Sequence, residues 1–291
     1  MPTLILDAAS LFALATAVLF AFADLGMRYG LQHTNPFVGS MMWPFAAVVT
    51  LVAVMVVLGV SFPPFGEHYL WLALAGTFGP GLFTIFFMLG IQRIGVARAA
   101  PIKGSAPLFA AVLAILILGE RPEWIQLSGV VLVVAGIALV SSGRTQGRWR
   151  RADALWPIAA AMCGAMGAVF WRKGLPAFPD PVAGAFVGLL AAFVITFLYA
   201  FAVMREQIPD GIRKAWKPFL LVGIVAAIGQ VCLANALQRG EVFRMVPLIQ
   251  TSPLITVSLA LLLLRRVEFI TWRVPAGALL TVGGAILVNM R

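Results

Sequence analysis

The sequence predicts an all-α integral membrane protein: ten transmembrane helices arranged as two inverted-topology five-helix repeats around a central cavity. Three observations predict it: the composition, the spacing of the apolar runs and an internal repeat. Of 291 residues, 62% are hydrophobic and only 11% charged, and the mean hydropathy is +0.99. A soluble domain is roughly half apolar and about a quarter charged. The surplus here is too large for one buried core and fits a chain whose solvent is lipid. A net charge of +10 would suggest nucleic acid in a soluble protein. The basic residues, however, cluster in short gaps between apolar runs, so no nucleic-acid partner is predicted.

A span needs about 20 mostly apolar residues. Ten such runs occur, at 9–31, 37–60, 69–92, 96–118, 124–142, 154–174, 181–203, 216–238, 242–264 and 271–289. Lipid offers no hydrogen bonds to the backbone, so each run is expected to be helical. The N-terminal stretch MPTLILDAASLF lacks the basic start of a cleavable signal, so the first span is expected to be retained. Fifteen of the 21 Lys and Arg residues, Arg28 to Arg273 among them, lie in or beside the gaps after the odd-numbered spans, and six lie on the other side. The positive-inside rule then places the odd gaps in the cytoplasm of an inner membrane, with both termini on the outer side. Trp71, Trp124, Trp156, Trp216 and Trp272 fall at span ends and read as interface anchors.

The third observation is the repeat. GIQRIGVARAAPIKGSAP (90–107) matches ALQRGEVFRMVPLIQTSP (236–253) at an offset of 146. Glu120, Gly129 and Gly136 match Glu268, Gly277 and Gly284 at 148, and MRYGL (27–31) matches WRKGL (171–175) at 144. Residues 1–145 and 146–291 therefore read as two five-helix repeats. Five is odd, so the second half is predicted to run through the membrane upside down relative to the first.

The paired Pro-x5-Pro of the fourth and ninth spans and the tail ILGERPEWIQLSGVVLVVAGIALV resemble the EamA-type drug/metabolite transporter superfamily over nearly the whole chain. The second repeat departs from that pattern, with LLRRVEF around Glu268. Within the family the chain is similar to the ten-helix, YddG-like amino-acid exporters. The resemblance implies secondary transport of amino acids or related metabolites outward.

The residues then nominate a pathway. Pro101, Pro107, Pro247 and Pro253 are expected to bend two symmetry-related helices, either for packing or to line one cavity. Gly79 and Pro80, within GTFGPG, read as a helix break and gate hinge. Asp24 and Lys103 are ionisable groups inside apolar spans, each about 10 Å from the inner face at 1.5 Å per residue. They are expected to interact, as a structural ion pair or as a site for a charged cargo. Trp43, Thr84, Ser105, Trp171, Gln230, Asn235, Gln250 and Thr251 extend the candidate pathway; each alone could equally be an interhelical hydrogen bond. Gly26-x3-Gly30 and Gly184-x3-Gly188 read as close helix contacts. His33 and His68 lack metal-ligand spacing, and Cys163 and Cys232 read as small packing residues. No nucleophile–base pair or Walker motif is seen, so neither catalysis, a cofactor nor an ATPase is predicted.

The leading expectation is a monomeric secondary transporter working on a small molecule in the bilayer by alternating access. The alternative in the same class exchanges phosphorylated metabolites or nucleotide sugars and would need several cations converging on the cavity. A lipid-modifying membrane enzyme and a channel rank below both.

Overall fold

The structure, a computed structural model, describes residues 7–141, 150–263 and 273–290. Among these, helices account for nearly all of the chain. Arg144, Gly147, Arg148, Arg265, Arg266, Glu268, Trp272 and Arg291 lie outside the described residues.

The first span is α1 (Ala8–Gly30) and the second α2 (Pro36–Leu58). The third is α3 (Glu67–Gly76), a π-helical turn over Thr77–Leu82, and α4 (Phe83–Ile94). The fourth is divided into α5 (Val96–Lys103) and α6 (Ala106–Leu113), the latter followed by a π turn over Ala114–Leu118. The fifth is α7 (Trp124–Ser141). The second repeat follows with α8 (Leu155–Gly174), α9 (Pro181–Met204) and α10 (Ile208–Arg239). Its divided span comprises α11 (Val242–Ile249) and α12 (Ser252–Leu263), and α13 (Arg273–Val288) ends the chain.

The polar residues of the gaps start the helices. Asp7, Asn35 and Asp180 are N-caps whose carboxylate or amide oxygen accepts the N–H of Ser10, Phe37 and Val182 at 2.9, 2.9 and 2.8 Å. Pro36 and Pro181 then occupy the first helical position, where a missing N–H costs nothing. α10 begins eight residues before the predicted span. Its polar first turns are held by an Asp210–Lys214 ion pair of 2.6 Å and by Gly211 seated against Thr34 and Val38.

Small residues set the helix contacts. A β-carbon on Gly26 or Gly30 would meet Val222 or Phe219 at 2.8 Å, so α1 lies close on α10. The fifth spans of the two repeats pack against one another through the glycines the repeat matches. Gly129 faces the Gly284 carbonyl and Gly136 the Gly277 carbonyl, so α7 and α13 run in opposite directions. The outward faces are apolar: Val57, Leu116 and Leu279 are 83%, 74% and 77% exposed, as expected of a surface solvated by lipid.

The divided spans differ from the expectation of proline kinks. Each helix stops and restarts, at Gly104–Ser105 and at Gln250–Thr251. Pro107 and Pro253 fall in the first turn of the restarted helix, where no intrahelical N–H bond is lost. The GTFGPG stretch is likewise no break. It accommodates Pro80 by widening into a π turn, and the Thr84 hydroxyl donates to the Pro80 carbonyl at 2.6 Å.

Candidate functional site

A cavity of about 270 Å³ lies between the repeats. Its wall takes Asp24 from α1, Trp43 from α2, Gly79, Pro80 and Thr84 from the third span, and Lys103 from the end of α5. The second repeat adds Trp171 from α8, Gln230 from α10 and Gln250 from the α11–α12 break. Seven polar or aromatic side chains nominated by the sequence, drawn from different spans, thus meet in one chamber. Apolar groups such as Phe20, Met27, Phe83 and Leu233 fill the rest of the wall.

Asp24 is the one acid and Lys103 the one base among the lining residues. They are within coulombic range, yet no ion pair within 4.0 Å joins them among the described residues. The two expected to interact thus do so as opposite charges sharing a chamber, without a direct ion pair. The Lys103 ammonium sits instead over the rings of Phe87 and Phe83, 4.5 and 5.2 Å from their centroids. Cation–π contact holds it without neutralising it. Asp24 is exposed to the cavity space rather than packed into the wall.

Two more groups on the wall have no protein partner. Trp43 is 7% exposed and Gln230 5%. Among the described residues, Trp43 Nε1 and Gln230 Oε1 are buried without a hydrogen bond. One is a donor and the other an acceptor. An unmet buried polar group costs about 1–3 kcal/mol, a cost that a group supplying both an acceptor and a donor would recover. Trp171 is pressed from behind by Gly188, where a β-carbon would come within 2.5 Å of the far edge of its indole.

The remaining nominated residues lie off the wall. The Asn235 amide donates to the Val231 carbonyl one turn back in α10. Ser105 Oγ donates to the Ile102 carbonyl and Thr251 Oγ1 to the Leu248 carbonyl, both at 2.7 Å. These are equivalent bonds at equivalent places, 146 residues apart. At each break the carbonyl accepts both the N–H, at 3.1 Å, and the hydroxyl of the residue three on, so the two hydroxyls add a second donor where the α-helical ladder stops. Pro107, Pro247 and Pro253 shape the divided helices without reaching the cavity, and Pro101 falls within α5.

Sequence reasoning missed a second polar cluster. It lies toward the end of the bundle that bears both termini. Glu120 follows the sixth helix and accepts the N–H groups of Val242 and Phe243 at 2.8 and 3.1 Å, across the repeat boundary. Burial pushes its carboxyl up, the two N–H bonds and Arg172 draw it down, Glu241 adds to the rise, and the balance stays above the usual range. Arg244, 5% exposed, reaches Asp7 at 3.3 Å and Asn289 at 3.2 Å. Burial raises the Asp7 carboxyl, but the Ser10 amide and hydroxyl together with Arg244 outweigh it and hold it below the usual range. Because that pKa is depressed, the stabilisation from the Asp7–Arg244 tie is present above the ordinary value of 3.8 and is lost as pH falls through the lower folded value. An acid titration followed by thiol accessibility near Asn289 is expected to show loosening only below that ordinary value. Glu120 was visible in the sequence as part of the repeat, but its partners are backbone amides, which carry no side-chain signal.

Among the described residues no group of His, Cys, Asp and Glu could hold a metal ion.

Residues 8–142 and 152–290 each match the EamA-like transporter family. The uncharacterized transporter YcxC of Bacillus subtilis is 25% identical over 223 residues, 72% of this chain and 70% of that protein. A probable terminal-alkyne amino-acid exporter of Streptantibioticus cattleyicolor is 28% identical over 90 residues, 31% of this chain and 30% of that protein. One solved crystal structure superposes with a TM-score of 0.81, covering 97% of this chain and 98% of the other at 16% identity, which shows the shared fold. Two matches to one family, covering nearly all of the chain, place this protein in the EamA-like transporter family.

Proposed function

We propose that this protein is a secondary transporter of the inner membrane that moves amino acids or related small zwitterions outward by alternating access. The observation that carries the reading is the cavity between the repeats. It offers one carboxylate, one ammonium, an unmet donor and an unmet acceptor inside an otherwise apolar wall. An α-amino acid presents the complement of that set: a carboxylate for Lys103 and the Trp43 N–H, and an ammonium for Asp24 and the Gln230 carbonyl oxygen. The apolar remainder discriminates weakly among side chains, since one methylene is worth only about 1–3 kcal/mol. Broad specificity is expected. A phosphorylated cargo is favoured less, because Lys103 is the one cation on the wall.

Alternating access draws support from the antiparallel packing of α7 and α13 through matched glycines. In an inverted repeat each half can take the other's shape, opening the chamber to one side and then the other. Proteoliposomes loaded with labelled phenylalanine or threonine test the proposal. Efflux down a concentration gradient is expected, and a pH gradient separates facilitated from coupled transport. Failure of every amino acid, together with exchange of a sugar phosphate, would overturn it.

Two further results are expected. Trp43→Phe removes an unmet buried donor, so the empty protein should melt at the same temperature or slightly higher while half-saturation for cargo rises about five- to tenfold. A fall in both stability and affinity would reassign Trp43 to packing. For orientation, Gly66→Cys should react with an impermeant thiol reagent in intact cells and Gly147→Cys should not, in a chain lacking Cys163 and Cys232; the reverse pattern would invert the topology.

A further inference from the structure

The two repeats do not have the same shape at their divided spans. All eight residues of α11 are buried. In α5, its counterpart at an offset of 146, Ala99 is buried while Arg98, Ala100, Ile102 and Lys103 are half-buried. Matched residues thus differ: Arg244 is 5% exposed and Arg98 is not buried. The chamber is packed shut around α11, toward the termini, and looser around α5, toward the opposite end. Val246 and Ile249 of α11 and Gln250 just after it line the cavity, and Val242 stands one turn beyond Val246 toward the termini.

We infer that Glu120 is a latch: seated on the amide groups that open α11, it holds the terminus-bearing end of the cavity shut, and its release is the step that opens that end. The geometry supports this in three ways. The bond joins the two repeats, spanning 122 residues of sequence, so it must break if they rock apart there. Both carboxylate oxygens are used, one on Val242 N–H and one on Phe243 N–H. These amides are the unpaired donors at a helix start, where an anion is favoured by the helix dipole as well. Arg244, on the same turn, reaches Asp7 ahead of the first span and Asn289 after the last, so a second tie between repeats flanks the first. Glu120 itself is not part of the cavity wall; it is a positioning residue that acts through α11.

This rests on the alternating-access reading above, but its test needs no cargo. Val246→Cys would be placed in a chain lacking Cys163 and Cys232, and an impermeant maleimide applied from the side that bears the termini, identified by a cleavable tag at the N-terminus. With Glu120 present, labelling should be slow. Glu120→Ala is expected to speed it by about tenfold or more, with Glu120→Gln, which keeps one acceptor, in between. Reaction of Met88→Cys, a wall position in α4 toward the opposite end, with the reagent applied from that end should not rise; a matching rise there would mean general loosening and would overturn the latch. Equal labelling of Val246→Cys with and without Glu120 would also overturn it. Should Glu120→Ala not accumulate, Glu120→Cys with Val242→Cys joined by a short bis-methanethiosulfonate linker, whose disulfides are reducible, gives the complementary test. Transport should stop when the linker is in place and return on reduction. Unchanged transport in the linked protein would refute the latch, and a protein that moves no amino acid yet shows the labelling difference would retain the latch and lose the cargo assignment.

Discussion

Lys103→Met should reduce transport of a zwitterionic cargo by roughly one to two orders of magnitude, and Asp24→Asn by a similar factor. A hydrogen bond to a charged group is worth about 1.5–3 kcal/mol, and each substitution also leaves the opposite charge alone in the chamber. Because the two side chains share the cavity without touching, the loss is expected in cargo binding. The double variant should recover protein yield, since no uncompensated charge remains, and should not recover transport. Full recovery of transport in the double variant would mean that the charges serve only each other. The measurement is initial efflux rate against cargo concentration in proteoliposomes, alongside yield after purification.

Gly76→Ala should be the most damaging single methyl in the membrane core. A β-carbon there would overlap the carbonyl of Gly188, and backbone cannot step aside as a side-chain tip can. Gly188 is in turn pressed against Trp171 on its other side, so the displacement would reach the cavity wall. Overpacking of this kind costs about 1–3 kcal/mol and occasionally more. Gly283→Ala is the matched control: nothing lies within 4 Å of its β-carbon position, so the gain in helix propensity, about 1 kcal/mol, should show without penalty. Thermal unfolding in detergent, followed by loss of the monodisperse peak, should rank Gly283→Ala at or above the parent and Gly76→Ala well below both.

The spans were legible in the sequence because lipid imposes one rule along the whole chain: about 20 apolar residues and a closed backbone. Their order, the repeat and the chamber's principal side chains followed from it. Asp24 and Lys103 stood out because a charge in a span has few neighbours to hide among. What failed to show was anything decided by backbone. Proline reads as a kink, yet at 107 and 253 it opens a new helix. Ser105 and Thr251 read as cavity polarity, yet each satisfies a carbonyl three residues back. The partners of Glu120 are amides on the far side of the chain, and Asp24 and Lys103 were placed at equal depth without a way to tell contact from separation.

The twin hydroxyl bonds at the two divided spans have a mechanical consequence. An amide donor is fixed to the peptide plane, so a helix held only by amides must break a bond to bend. A hydroxyl swings about its own side-chain torsion and can follow a moving carbonyl among staggered positions. At each joint the Ile102 or Leu248 carbonyl accepts both the N–H and the hydroxyl of Ser105 or Thr251, so a tilt that stretches the amide bond leaves the hydroxyl to cover the carbonyl. Stiffness is kept within the helical segments and removed at one residue between them, which is how a jointed strut differs from a bent rod.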